Sequence, residues 1–144
     1  VKRSPLLFAF WLLTCPAAFA LAAKDKPGQH EVQEEIAGHQ RMAAAHRGAA
    51  ECLRAGVSLA ECVRALEEAC KGVAAGRRCG MKVAKGEAED TAALRDRHLK
   101  MAAAHEAAAQ CLTSGREMEA CEKRLRQDCR GLSINTHCGM RAHH

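Results

Sequence analysis

The sequence predicts an all-α protein: two disulfide-stapled helical hairpins forming a four-helix bundle with internal twofold pseudo-symmetry. Three observations predict it. Residues 39–82 and 98–141 align without a gap at an offset of 59, and 18 of the 44 aligned positions are identical. Each copy holds a long stretch rich in Ala, Glu, Arg and Leu, all good helix formers, then a glycine and a second such stretch. Four cysteines recur at matching places: Cys52, Cys62, Cys70 and Cys79, then Cys111, Cys121, Cys129 and Cys138. A unit of this kind buries its apolar face against its neighbour.

The chain opens with a segment apart from the repeat. Lys2 and Arg3, an apolar run from Leu6 to Leu13 and Ala18-Phe19-Ala20 have the order of a secretory signal peptide over residues 1–22. The run is too short for a permanent membrane anchor, and no later segment looks like a span. A periplasmic or secreted location is the expectation. Trp11, Phe8, Phe10 and Phe19 all lie inside this leader, so the remainder has no Phe, Tyr or Trp. A core of Ala with a few Leu and Val is marginal at this size without covalent help. Cysteine supplies it. Cys15 leaves with the leader, and the even remainder reads as a disulfide framework in an exported chain.

The first module, residues 23–85, begins with a helix from about Glu31 to Ala55, and Gly56 is its stop signal. Ser58-Leu-Ala-Glu61 is a capping box that starts a second helix ending near Gly72. An irregular tail, 73–82, closes with Cys79-Gly80-Met81. The segment KVAKGEAED leads into the second module, residues 86–144, where Asp90 is the expected N-cap of a helix running to Ser114. The fourth helix runs from near Glu117 to Gly131, without the capping box, and the tail 132–141 repeats Cys-Gly-Met.

With the first turn near residue 57, Cys52 faces Cys62 across the hairpin. Cys62 and Cys70 lie eight apart on one helix face, too far to bond. The expected pairs are therefore Cys52–Cys62, Cys70–Cys79, Cys111–Cys121 and Cys129–Cys138. An alternative joins Cys52 to Cys79. Were Cys70 or Cys79 reduced, it would stand beside the histidines described next as a further ligand.

Positions 32, 36, 39, 43, 46, 50 and 53 are Val, Ile, His, Ala, His, Ala and Leu, stepping by four and three along a heptad seam. Two imidazoles thus face the packed side of the hairpin, and Met42 lies beside them. His98, Met101 and His105 repeat the arrangement. A buried imidazole without a partner costs ~1–3 kcal/mol, and its neighbours here are alanines. A bound metal ion would satisfy it. Neighbours at three and four residues share a helix face, so His39, Met42 and His46 are candidate ligands of one ion, or the two triads of shared ions. Met81 and Met140 are further thioether candidates. Thioether sulfur suits Cu(I) and imidazole accepts Cu(I) or Cu(II), whereas Zn and Ca sites ordinarily draw on carboxylate or thiolate. Copper is the expected cofactor. His30 and His137 have no counterpart in the other copy and read as surface residues.

Without the leader the chain keeps 20 Lys+Arg against 17 Asp+Glu, with both signs scattered. No basic block or aromatic platform supports nucleic-acid binding. No Ser-His-Asp set, phosphate loop or paired carboxylates suggests catalysis, so the chain reads as a binding protein and not an enzyme.

In His39, Met42, His46 and the Cys79-Gly80-Met81 tail the chain resembles periplasmic copper-binding proteins of copper delivery or tolerance, which gather the metal with His and Met outside the cytoplasm. That resemblance implies a copper chaperone or sequestering role and an exported protein that gives or receives the ion. The rival expectation is a disulfide-stabilised interaction or scaffold module in which the histidines merely pack.

Overall fold

The computed structural model describes residues 28–82 and 90–142. The segment expected to be a signal peptide, residues 1–22, and Cys15 within it lie outside those residues. Four α-helices and one 3-10 turn are present among the described residues: α1 Gln29–Arg54, α2 Leu59–Ala69, the turn Arg78–Gly80, α3 Thr91–Thr113 and α4 Met118–Asp128. The protein is an all-α bundle, as the repeat predicts.

The caps follow the local sequence. The Ser58 hydroxyl accepts the Glu61 N–H and also donates to the Glu61 carboxylate, which starts α2. The Asp90 carboxylate accepts the Ala92 N–H at the start of α3. At Glu117, which has no side-chain cap, α4 begins without that support.

The four expected disulfides are all formed: Cys52–Cys62, Cys70–Cys79, Cys111–Cys121 and Cys129–Cys138. The Cys52–Cys79 alternative is not adopted, and no thiol remains among the described cysteines to act as a ligand. In each module one bridge ties the two helices near their turn. The other ties the end of the shorter helix to the tail.

The long helices α1 and α3 form the centre and pack antiparallel, since His39 meets His105 and His46 meets His98. Along the α1 seam, Ile36, His39, Ala43, His46, Ala50 and Leu53 are all buried. This seam faces α3: Ile36 clusters with Ala109 and Leu112, and Leu53 with Leu94. A second buried stripe, Met42, Ala45 and Ala49, faces α2 and the tail, against Leu66, Cys70 and Cys79. Sequence reasoning placed the histidines on the packed side of their own hairpin. The structure places them on the face between the modules.

The tails join the modules further. Met140 packs into the cluster of Met42 and Leu66, and Met81 into that of Met101 and Leu125. Backbone bonds link the two tails: Ala75 N–H to Gly139 O (2.8 Å), Ile134 N–H to Gly80 O (2.9 Å) and Arg141 N–H to Val73 O (2.9 Å). The two repeats thus share their cores in space among the described residues.

The pseudo-twofold axis is marked where equivalent positions meet. His46 and His105 stack with rings 6.3 Å apart and 7° from parallel. Gly80 and Gly139 touch so closely that a Cβ on Gly80 would lie 2.2 Å from the Gly139 Cα. Arg47 and Glu106 form an ion pair. A strict repeat would set like charges against each other here, so the difference between the copies removes a repulsion.

Candidate metal centre

Small side chains let α1 and α3 approach closely, and the histidines fill the seam between them. His39, His46, His98 and His105 are buried, with 0–3% of their surface exposed. The Nδ1 atoms of His39 and His105 lie 3.1 Å apart, and those of His46 and His98 lie 3.0 Å apart. The pseudo-twofold exchanges the two pairs. Each pair draws one imidazole from each module, so the partner that the alanines on the same helix fail to provide comes from the opposite repeat.

Hydrogen bonding fixes part of the proton inventory. His105 Nε2 lies 2.9 Å from the Cys138 carbonyl oxygen, which only accepts, so this nitrogen carries the proton and donates. In the neutral ring Nδ1 of His105 then presents a lone pair toward His39. The His39 Nδ1 supplies the proton between them, and its Nε2 faces the Glu35 carboxylate at 3.8 Å. In the other pair, the buried Nε2 of His46 makes no hydrogen bond of acceptable geometry. The Cys79 carbonyl, equivalent to that of Cys138, still acts on that ring electrostatically.

Burial sets the charge state. Desolvation pushes His46 down to about 3, reinforced by His98 and His105 and opposed by the Cys79 carbonyl. His105 is likewise pushed down to about 3, by desolvation first and by His39 second, against the Cys138 carbonyl. Both rings are neutral at pH 7. Neutral imidazole is the form that binds metals.

The methionines take a different direction from the histidines. Met42 and Met101 are wholly buried, but on the stripe facing their own hairpins. The Met101 sulfur rests 3.7 Å from Cys138 Sγ, a van der Waals contact with the Cys129–Cys138 disulfide. The structure thus brings the histidines together as cross-module pairs, not as a His-Met-His triad from one helix. Met81 and Met140 occupy the opposing apolar clusters. Among the described residues, no three His, Cys, Asp or Glu side chains converge to form a ligand cage.

Two residues at the centre were not singled out from sequence. Glu35 stands one turn before His39 and orients its outer nitrogen. His137, expected at the surface, is half-buried and lines a cleft of about 90 Å³ with Glu35, His39, Glu122 and Met140. The signal for both was in the repeat: at the offset of 59 they face Leu94 and Arg78, departures from symmetry beside a symmetric pair of histidines.

No protein-family model, curated protein or solved structure matches this chain. Among the described residues no helix is long and apolar enough to cross a membrane.

Proposed function

We propose that this is an exported copper-binding protein, serving copper delivery or sequestration and not catalysis, that holds the ion between imidazoles of its two modules. The observation that carries the reading is the pair of facing Nδ1 atoms at 3.0–3.1 Å, repeated about the pseudo-twofold. Nitrogens so spaced resemble neighbouring ligands on one ion, because bonds of ~2.0 Å subtending about 100° place their ends about 3.1 Å apart. Metal-bound histidines usually give their other nitrogen to a carbonyl or carboxylate. The Cys138 carbonyl and Glu35 stand where that rule asks for them.

Two bent nitrogens per pair leave room for soft donors beside them, which suits Cu(I). They are too few for zinc, which takes four in a structural site. Met42 and Met101, adjacent on the same helices, are the soft donors that would add to such a site after a rotamer change. The leader and the four disulfides favour an oxidising compartment, where the partner is a protein that hands over or accepts copper.

One observation favours a second reading. The facing Nδ1 atoms are within hydrogen-bond distance of each other, so they are satisfied without an ion. On that reading the histidines are polar filling in a scaffold or interaction module. Titrating the oxidised protein with Cu(I) and Cu(II) against a competing chelator separates the two. Binding at micromolar or tighter Kd is expected, lost when His39, His46, His98 and His105 become Ala and Met42 and Met101 become Leu. The milder pair His39→Gln and His98→Gln, checked by circular dichroism, guards against loss through unfolding. Absence of binding in the wild type, or unchanged binding in folded variants, leaves the scaffold reading.

A further inference from the structure

The two modules differ in charge where the shorter helix meets its tail. Between α4 and the second tail a cleft of about 450 Å³ is lined by Lys123, Arg126, Gln127, Arg130, Ser133 and Thr136. At the offset of 59 the first module has Arg64, Glu67, Glu68, Lys71, Ala74 and Arg77. There two carboxylates occupy the equivalent place. Glu67 accepts the Arg78 N–H (3.2 Å) and lies 3.7 Å from the Arg77 guanidinium, and Glu68 lies 3.8 Å from the Lys71 ammonium. The second module has lost both acids, with Arg126 where Glu67 stands and Gln127 where Glu68 stands. Across these six positions the net charge is +1 in the first module and +3 in the second. Among the described residues Arg126 pairs with Glu122, while Lys123 and Arg130 pair with no acid.

We infer that this cleft binds a phosphate group, held by the guanidiniums of Arg126 and Arg130 and the ammonium of Lys123. The site is independent of the copper reading. The first module shows with its own atoms what an anion does in this position, since the Glu67 carboxylate joins α2 to its tail. The second module braces its tail by other means. Asn135 accepts the His137 and Gly139 N–H groups (3.2 and 2.8 Å) and donates to the Met140 carbonyl (2.9 Å). The Ser133 hydroxyl donates to the Asn135 carbonyl (2.6 Å). The loop therefore stands without an internal anion, and the cations beside it are left to an external one. A phosphate carries a charge of about −1.5 to −2 at pH 7, which offsets the charge that the second module has gained. Guanidinium forks match phosphate oxygens two at a time, and the Thr136 hydroxyl and Gln127 amide in the lining are further donors. Two effects oppose binding. Arg126 lies 3.4 Å from the Glu122 carboxylate, but an exposed pair of this kind is weak, and a dianion displaces it. The C-terminal end of α4 contributes roughly half a negative charge, against three full positive ones.

Titrating the full oxidised protein at low ionic strength tests this, with inorganic phosphate followed by amide NMR and phosphatidic acid vesicles followed by sedimentation. Millimolar phosphate, with chloride matched, is expected to shift the Gln127, Arg130, Gly131 and Thr136 amides and leave those of Glu68, Lys71, Gly72 and Arg77 in place. Vesicle binding tighter than that of the free ion places the phosphate on a lipid; equal or weaker vesicle binding places it on a soluble molecule. Lys123→Gln with Arg130→Gln is expected to weaken binding at least tenfold. Arg126→Glu with Gln127→Glu, which restores the carboxylates of the first module, is expected to abolish it. Arg64→Gln with Lys71→Gln is expected to leave it within twofold. All six side chains are exposed, so the fold is retained, as circular dichroism checks. No response to phosphate or vesicles overturns the site. Shifts spread equally over both modules, or wild-type binding in the Lys123→Gln, Arg130→Gln variant, also overturn it.

Discussion

Acid should weaken this fold far sooner than it weakens a bundle with an ordinary apolar seam. His46 and His105 are neutral in the folded protein, with pKa values near 3 against 6.5 in an unfolded chain. Below pH 6.5 the unfolded chain takes up protons that the folded one refuses. Stability is therefore complete above 6.5 and is lost as pH falls toward 3. Each ring removes ~1.4 kcal/mol per pH unit in that window, so at pH 5.0 the pair together removes about 4 kcal/mol. That is a large share of the ~5–15 kcal/mol that holds a typical domain. Guanidinium unfolding of the chelator-treated protein, disulfides intact, measures it. Far-UV circular dichroism is the appropriate probe because Trp11 and every Phe lie in residues 1–22. With an m-value of ~3 kcal/mol/M, the midpoint should drop by about 1.3 M between pH 7.5 and 5.0. An unchanged midpoint refutes the reasoning. So does an equal drop in a folded variant carrying His46→Gln and His105→Gln.

Removing the Cys52–Cys62 bridge with paired serines opens a loop spanning a separation of 10 residues, which should cost about 2.8 kcal/mol on the chain-entropy estimate, read by the same unfolding experiment. Gly80→Ala should lose ~2–5 kcal/mol, because a positive φ is joined to a Cβ placed 2.2 Å from Gly139 Cα. Gly131→Ala, with a positive φ and open space around it, should lose only ~1–2 kcal/mol. Arg47→Glu sets two carboxylates together on the pseudo-twofold axis and should cost ~0.2–1 kcal/mol, recovered when Glu106→Arg is added. A thermal-melt double-mutant cycle reads that coupling.

The hairpins were legible in the sequence because their signals are local. Gly56 and Gly115 stop helices, Ser58 and Asp90 start them, and the spacing of Cys52 and Cys62 about the turn determines which sulfurs can meet. The α1 seam was legible for the same reason, as a periodicity within one helix. How the hairpins meet was not. Periodicity says that His39 and His46 are buried but not against what, since both stripes of α1 carry alanines of the same size. The His39–His105 and His46–His98 pairs depend on the antiparallel register of α1 on α3, which no local signal encodes. The partition of His and Met onto different stripes follows from a rotation of one position around the helix. The crossing of the tails was equally hidden, although Gly80 and Gly139, each between a Cys and a Met, are the residues that permit it.

That crossing limits how the molecule can move. Each tail is a tongue slid beneath the opposite repeat and tipped by a methionine, Met81 or Met140, with its root riveted by a disulfide. Parting the halves like a book would drag both tips out of apolar sockets, at ~1.5–3 kcal/mol apiece, before the spine between α1 and α3 had begun to open. Any ion taken up by the imidazoles, as proposed, would therefore have to enter with the clasp closed.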